Sequence, residues 1–318
     1  MIDRSEELVT VFGCGGFIGR HVCEFLLKAG VRVRVAQRNP RQAYVIQPLG
    51  QVGQVGYVGA DIGNAASVRA ALHGANAAIN LGGTFGAKMR QVHVDGAANI
   101  AAAARDAGCE ALIHISALGI ATESASGYSR TKAEGEAAVL GAFPGATIIR
   151  PSVVFGPDDD FTNRFAGMAN LPFLPVLAGT SKFQPVYVRD LGKAIALAAL
   201  DPRGYAGQTF EIGGPEVMSM IELHRAILAI TGQKPEVVQL PNIAGSALAA
   251  LGFLPGAPLT RDQWIMLQRG SVPSGGKPGL EAFGIEPTPL ATVAPEWLAR
   301  FRPGGKFGGR KINLTSTN

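Results

Sequence analysis

One heptapeptide, Gly13-Cys14-Gly15-Gly16-Phe17-Ile18-Gly19, restricts the folds open to this chain more than any other stretch. An apolar run, LVTVF, precedes it and a helix-like segment, RHVCEFLLKAG, follows. Gly13 allows a strand to turn sharply, Gly16 lets backbone come close to a ligand, and Gly19 lets the following helix pack tightly on the strand. A ligand-free glycine turn could carry the same letters, so the flanks decide. Val22, Phe25, Leu26 and Ala29 recur at helical spacing and give the helix one buried face, which Gly30 terminates. Val31, Val33 and Val35 then alternate with Arg32 and Arg34, the period of a strand. Strand, turn, helix and strand arrive in the order of a βαβ unit. Phosphates can then rest on the helix N-terminus, against Gly13, Gly16, Phe17, Ile18 and Gly19, which predicts a dinucleotide site.

The pattern continues. QVGYVGADI reads as a third strand ending at Asp61 and Ile62, SVRAALHGA as a short helix, and AAINLGG as a fourth strand. QVHVDGAANIAAAARDAG predicts a helix, ALIHIS a fifth strand ending at Ser116, YSRTKAEGEAAVLGAF another helix, and ATIIRPSVVFGP a sixth strand. Such alternation predicts an α/β fold with a doubly wound parallel Rossmann sheet. Beyond Pro157 proline-rich loops and separate helices take over. The nucleotide-binding unit is therefore expected over 1–157 and 181–212, and a smaller C-terminal substrate or docking lobe with a basic tail over 158–180 and 213–318.

The end of the second strand selects the nucleotide. An NAD site places Asp or Glu there for the ribose 2′-hydroxyl, whereas an NADP site places a cation. Here the sequence is VAQRNPRQ, without an acid, so Arg38, with Arg41 behind it, is expected to meet a 2′-phosphate and the cofactor to be NADP(H). Read as a plain exposed loop arginine, Arg38 would carry no such preference. Asp61 and Ile62 would border the adenine, and Asp61 alternatively caps its strand end.

Tyr128 and Lys132 stand four apart in a helical segment and so share a face. A tyrosine with an ordinary pKa near 10 needs a neighbouring cation to act as acid or base at neutral pH, and a lysine one turn away can favour phenolate while holding a ribose. Ser116 lies at the carboxyl end of a strand, where open α/β sheets place reacting groups, and its hydroxyl can polarise a carbonyl.

The chain has 318 residues, 47% hydrophobic, enough for a substantial core. Cys14, Cys23 and Cys109 show no paired or metal-ligand spacing, which predicts three free thiols in a reducing compartment and no metal. The first strand begins within ten residues, and no cationic leader or cleavage site is evident. IAGSALAALGFL at 243–254 is too short to span a bilayer and predicts a buried helix, with an interfacial docking helix as the alternative. Net charge is +5, and Arg300, Arg302, Lys306, Arg310 and Lys311 follow Trp297 with no acid among them. Glycines interrupt this segment and no aromatic platform accompanies it, so nucleic acid is not expected; a solvated tail or peripheral contact with an acidic partner or anionic lipid is.

GCGGFIG, ADI, NLGG at 80–83, Ser116, YSRTK and RPSVVFGP at 150–157 together resemble the extended and atypical short-chain dehydrogenase/reductase superfamily, across about residues 8 to 300. The resemblance implies a catalytic group of Tyr128, Lys132 and Ser116. It also implies a nicotinamide cofactor passing Leu81 and Gly82, with its ring near Pro151 and Val153. Longer phrases, including VRVRVAQRNPRQA, YSRTKAEGEAAVLGAFPGATIIRPSVVFGP, FQPVYVRD, FEIGGPEV and LTRDQW, are similar to the dehydrogenase-like accessory subunits of respiratory complex I and their bacterial relatives. That likeness implies tightly held NADPH without turnover, complex I subunits as partners, and a cytoplasmic protein at the inner face of the cytoplasmic membrane. Two features depart from active members: His93 stands where an asparagine usually completes the catalytic group, and Ser116 lies only twelve residues before Tyr128.

Overall fold

The computed structural model describes residues 4–252 and 259–305. Seven parallel strands form its central sheet: β1 (Leu8–Phe12), β2 (Arg32–Gln37), β3 (Val55–Gly59), β4 (Ala77–Asn80), β5 (Ala111–Ile115), β6 (Thr147–Pro151) and β11 (Thr209–Ile212). Their spatial order is β11-β6-β5-β4-β1-β2-β3, so the winding reverses between β1 and β4, the switch point at which doubly wound sheets open a crevice.

Alternation along β1 decides what lies on each face. Val9 and Val11 join a core with α1 (Phe17–Lys28) and α6 (Val188–Leu200), while Phe12 joins a second core with α2 (Ala65–Leu72), α3 (Gly96–Asp106) and α4 (Gly127–Ala142). α1 and α6 touch closely because Gly192 faces His21, where an added Cβ would come within 3.0 Å. The Glu24 carboxylate clamps them by accepting from both terminal nitrogens of Arg189 at 2.9 and 3.0 Å.

Short strands carry the chain between sheet and lobe. β7 (Val154–Phe155) pairs with β10 (Val186–Tyr187), β8 (Phe173–Val176) with β13 (Glu236–Gln239), and β9 (Lys182–Phe183) with β12 (Met218–Ser219). The lobe adds α5 (Thr162–Met168), α8 (Met220–Thr231), α9 (Asn242–Ala250) and α10 (Arg261–Arg269), with the short α7 (Pro202–Tyr205) lying between α6 and β11. Ser219 and Glu222 form a capping box on α8, as do Thr260 and Gln263 on α10, so each helix start is fixed locally. Stacked Phe155, Tyr187 and Trp297 centre the lobe's core.

Several expectations require correction. Cys14 and Cys23 are disulfide-bonded, because the glycine turn doubles back over α1 and brings buried residues nine apart in sequence together. Cys109 is the free thiol among the described residues; it donates to the Ala75 carbonyl, and burial pushes it up to about 11. β3 ends at Gly59, two residues short of Asp61, because the Asp61 side chain accepts from Gly63 N and turns the chain toward α2. α9 is not a buried helix: Gly245 and Ala249 face inward, while Ile243 is 82% and the following Leu251 52% exposed. Residues 253–254 of that segment lie outside the described residues. Arg300 is not solvated tail, since it donates to Asn163 and lies over Phe301, and Arg302 donates to the Ile230 carbonyl. Lys306, Arg310 and Lys311 fall outside the described residues.

Candidate functional site

The glycine turn is shaped by what glycine lacks. Gly13 has φ +86°, and a Cβ there would sit 3.3 Å from Leu81 Cβ. At Gly19 a Cβ would stand 2.5 Å from the carbonyl oxygens of both Gly13 and Cys14. Gly16 occupies the N-cap of α1 without a side-chain cap, and no acid lies in the first turn. The amides of Phe17, Ile18 and Gly19 therefore remain for an anion. Gly15 N donates to Gln37 Oε1 at 3.2 Å, so a neutral amide ties the turn to the end of β2 where a carboxylate would stand in an NAD site. Gln37 was not anticipated; its place at the strand end was the available signal.

Arg38 follows at the edge of this cradle, exposed and without an ion pair or hydrogen bond among the described residues. Asp61 acts as the cap described above. Ile62 lies half-buried beneath Gly82 and Gly96, where Cβ atoms would meet its Cδ1 at 3.3 and 2.7 Å.

At the other end of the crevice, Ile18, Leu81, Ser116, Tyr128, Lys132, Pro151 and Val153 line one cavity of about 720 Å³. Lys132 is buried, and its Nζ donates to the Ile115 carbonyl at 2.9 Å and the Gly82 carbonyl at 3.2 Å. Burial lowers it to about 8, against the raising influence of Glu136. Ser116 follows β5, and its Oγ is buried with no partner. Tyr128 is half-buried, its ring stacked on Phe85 with centroids 4.7 Å apart. Burial pushes its hydroxyl up to about 12, the reverse of the phenolate that a nearby lysine was expected to favour. The Lys132 charge is spent on two carbonyls, so Tyr128 at neutral pH is a proton donor.

His93 sits in a single π-helical turn, Gln91–Asp95, that leads into α3. Thr84 N donates to His93 Nε2 at 3.1 Å, so Nδ1 bears the proton and donates to Thr131 Oγ1 at 2.9 Å; that hydroxyl donates to the Gly127 carbonyl at 2.8 Å. Burial and Lys132 hold the ring down to about 4, so it is neutral and positions the start of α4 with its edge toward Tyr128. Gly135 makes the approach feasible, because a Cβ there would overlap the His93 carbonyl oxygen.

Sequence reasoning missed a second network. Asn80 Oδ1 accepts from Gly82 N at 2.9 Å, so its amide nitrogen donates to His114 Nδ1 at 3.1 Å. His114, pushed down to about 3 by burial and then by Lys132, is thereby neutral. It also missed Asp262 of α10, whose Oδ1 accepts from Gly127 N at 2.6 Å and ties the lobe to the first residue of α4. An acid in LTRDQW gave no hint of a partner 135 residues away.

A doubly wound sheet, a glycine cradle at a helix N-terminus and a Ser–Tyr–Lys group at the switch-point crevice define a Rossmann protein of the nicotinamide-nucleotide class. A family model for the NAD dependent epimerase/dehydratase family matches residues 9–213, and the chain belongs to that family. It is 34% identical over 307 residues to the mouse protein named NADH dehydrogenase [ubiquinone] 1 alpha subcomplex subunit 9, mitochondrial, covering 94% of this chain and 81% of that one. It is 30% identical to the ceramide reductase of Caulobacter vibrioides, covering 81% and 82%. The fold also matches the crystal structure of the Escherichia coli NADPH-dependent quinone oxidoreductase QOR2 complexed with NADPH, with TM-score 0.73, 20% identity, and coverage of 91% and 99%.

Proposed function

We propose that this chain is an NADP(H)-binding accessory or assembly subunit of respiratory NADH:quinone oxidoreductase. The observation that carries this is the near end-to-end similarity to the mouse complex I subunit, which extends through the lobe as well as the nucleotide-binding part. The residues fit the cofactor. Gly13, Gly16, Phe17, Ile18 and Gly19 would hold the pyrophosphate, Arg38 the 2′-phosphate, and Tyr128 and Lys132 the nicotinamide ribose. Leu81, Gly82, Pro151 and Val153 would enclose the ring, while Asp61 and Ile62 would border the adenine. Nucleotide held at a hundred times its dissociation constant adds about 2.7 kcal/mol to stability, which makes a structural role for it physically sufficient.

Among the described residues no helix is long and apolar enough to cross a membrane. We place the protein in the cytoplasm, peripheral to the inner face of the cytoplasmic membrane, where the positive charge of its basic tail sequence would favour anionic lipid. Purification from its native source in mild detergent, followed by identification of the bound nucleotide and co-eluting proteins, tests the proposal. NADP(H) together with subunits of the respiratory complex is the expected result, and a preparation lacking those subunits overturns it.

A second reading, an active NADP-dependent reductase, dehydrogenase or epimerase for a carbonyl, alcohol or quinone-like substrate, is favoured by one observation: Ser116, Tyr128 and Lys132 converge on a single cavity with Ser116 Oγ unpaired. The bound nicotinamide would supply or accept hydride. Tyr128 Oη would carry the proton, Ser116 Oγ would donate to the carbonyl oxygen, and Lys132 would orient the ribose. Tyr128→Phe should then lower turnover by about a hundredfold to ten-thousandfold, and unchanged turnover rules this mechanism out.

A further inference from the structure

The densest group of exposed large apolar side chains along the described residues lies outside the lobe. Tyr44, Val45, Leu49 and Val52 stand on a 3₁₀ helix (Pro40–Leu49) and the turn that follows it, beside β3, the edge strand of the sheet. This platform is held firmly from below. Ala43 and Ile46 are buried in the core that contains α1, Asn39 Oδ1 accepts from Arg41 N, and Pro40 and Pro48 restrict the backbone. Tyr44 stands edge-on to Tyr57 of β3, with ring centroids 5.1 Å apart.

Gln54 clamps the turn. Its Nε2 donates to the Leu27 and Val31 carbonyls at 2.8 and 3.0 Å, and its Oε1 accepts from Gln51 N at 3.0 Å. Val52, fully exposed, is therefore carried on a fixed backbone. Apolar side chains on a fixed backbone lose little freedom when a partner covers them, which is what the anchors of an interface require. Ala43 also rests on Gly15, where an added Cβ would come within 3.1 Å of its own, so the platform is seated on the nucleotide turn.

Its charge points to the kind of partner. No acid occurs between Glu24 and Asp61, and no lysine between Lys28 and Lys88. Gln42, Gln47 and Gln51 are the exposed amides among the apolar residues. Arg41 is exposed, and its guanidinium has no ion pair or hydrogen bond among the described residues. A single cation gains only about fivefold at an anionic bilayer, too little to hold a protein there. Tyrosine, arginine and aliphatic anchors ringed by amides, with lysine and acids absent, have the composition of a protein interface.

We propose that this platform docks a partner chain that presents an apolar segment bearing a carboxylate, its apolar side chains over Tyr44, Val45, Leu49 and Val52 and its carboxylate on Arg41. That the partner is a subunit of the respiratory complex rests on the accessory-subunit reading above; the docking surface rests on the platform itself.

The full chain, carrying the photoreactive amino acid p-benzoylphenylalanine in place of Val52, tests this when irradiated in cells of the native source, with adducts identified by mass spectrometry. The expected adduct joins it to a subunit of NADH:quinone oxidoreductase, through a peptide with both acidic and apolar residues. Val45→Glu combined with Leu49→Glu should lower adduct yield at least about tenfold, and Arg41→Glu about tenfold. NADPH uptake and the melting curve of the Val45→Glu, Leu49→Glu chain should match wild type, which shows that it is folded. No adduct, an adduct with lipid or with a second copy of this chain, or a yield insensitive to these substitutions overturns the proposal. A substitution-sensitive adduct with an acidic, apolar peptide of a protein outside the respiratory complex would keep the platform and strike the accessory-subunit reading. Respiratory subunits co-purifying with the wild type, without an adduct at position 52, would keep that reading and sink this inference.

Discussion

The glycine turn before α1 and the lobe wall of the cavity are built by opposite means. The cradle is built from absent side chains and backbone N–H groups: glycines at 13, 16 and 19, an uncapped helix start, and one cation at its edge. Among the described residues the lobe wall is built mostly from bulky side chains brought in by five separate segments. The first kind of site needs a few fixed torsions within one turn of chain. The second needs the whole lobe to be in place. Asp262, reaching from α10 to the first amide of α4, is where the two are joined.

Substitutions can separate the two regions, and the most disruptive acts on the cradle. Gly19→Val forces side-chain atoms onto two carbonyl oxygens 2.5 Å from the first added carbon, so NADPH uptake should be lost, at a cost of about 1–3 kcal/mol in stability, while the protein stays folded. NADPH titration and a melting curve on the same preparation check both halves. Arg38→Ala should weaken NADPH by roughly tenfold to a hundredfold, about 1.5–3 kcal/mol, and leave NADH unchanged; equal losses for both nucleotides would place Arg38 outside the 2′-phosphate pocket.

Lys132 offers a pH test at the boundary of the two regions. Its native pKa of about 8 lies below its ordinary 10.5, so between those values the unfolded chain holds a proton that the native protein has released. Stability therefore rises with pH through that window. In cofactor-free protein, urea unfolding should show wild type gaining on Lys132→Met from about pH 8 to 10.5, with a constant difference below 8. A flat difference across the window would mean that the ammonium is not buried against the Ile115 and Gly82 carbonyls.

The smallest effect should come from the tie itself. Asp262→Ala removes an acceptor from the first amide of α4 and should cost about 1 kcal/mol of stability. It should also weaken NADPH binding by less than about tenfold, read by cofactor titration. Unchanged NADPH affinity would show that α10 does not help to position α4.

Much of the nucleotide-binding half was legible because its signals are local. A glycine turn, a 3.6-residue periodicity and alternating valines all act within a dozen residues, and they anticipate β1, α1 and β2 closely. Where a side chain intervened, that legibility failed: Asp61 bends the chain after Gly59 instead of extending β3, and the pairing of Cys14 with Cys23 depends on how the turn folds back. Tyr128 and Lys132 were readable as a pair on one helix face. The state of Tyr128 was not, because burial of its hydroxyl and the two carbonyls that occupy Lys132 come from β4, β5 and the segments after them. His93 could be noted as a departure, yet its anchoring of α4 depends on Thr84, Thr131 and the bare face of Gly135.

By itself the sequence determined a parallel Rossmann sheet, a glycine turn leading into α1, a cation in place of an acid after β2, and a Tyr–Lys pair on one helix face with Ser116 at the carboxyl end of β5, since each depends on torsional preference or short-range spacing. Tertiary structure alone decided the protonation of the buried groups and the cavity's apolar depth. Desolvation and enclosure belong to no single segment; they arise when chains far apart in sequence exclude water from the same volume.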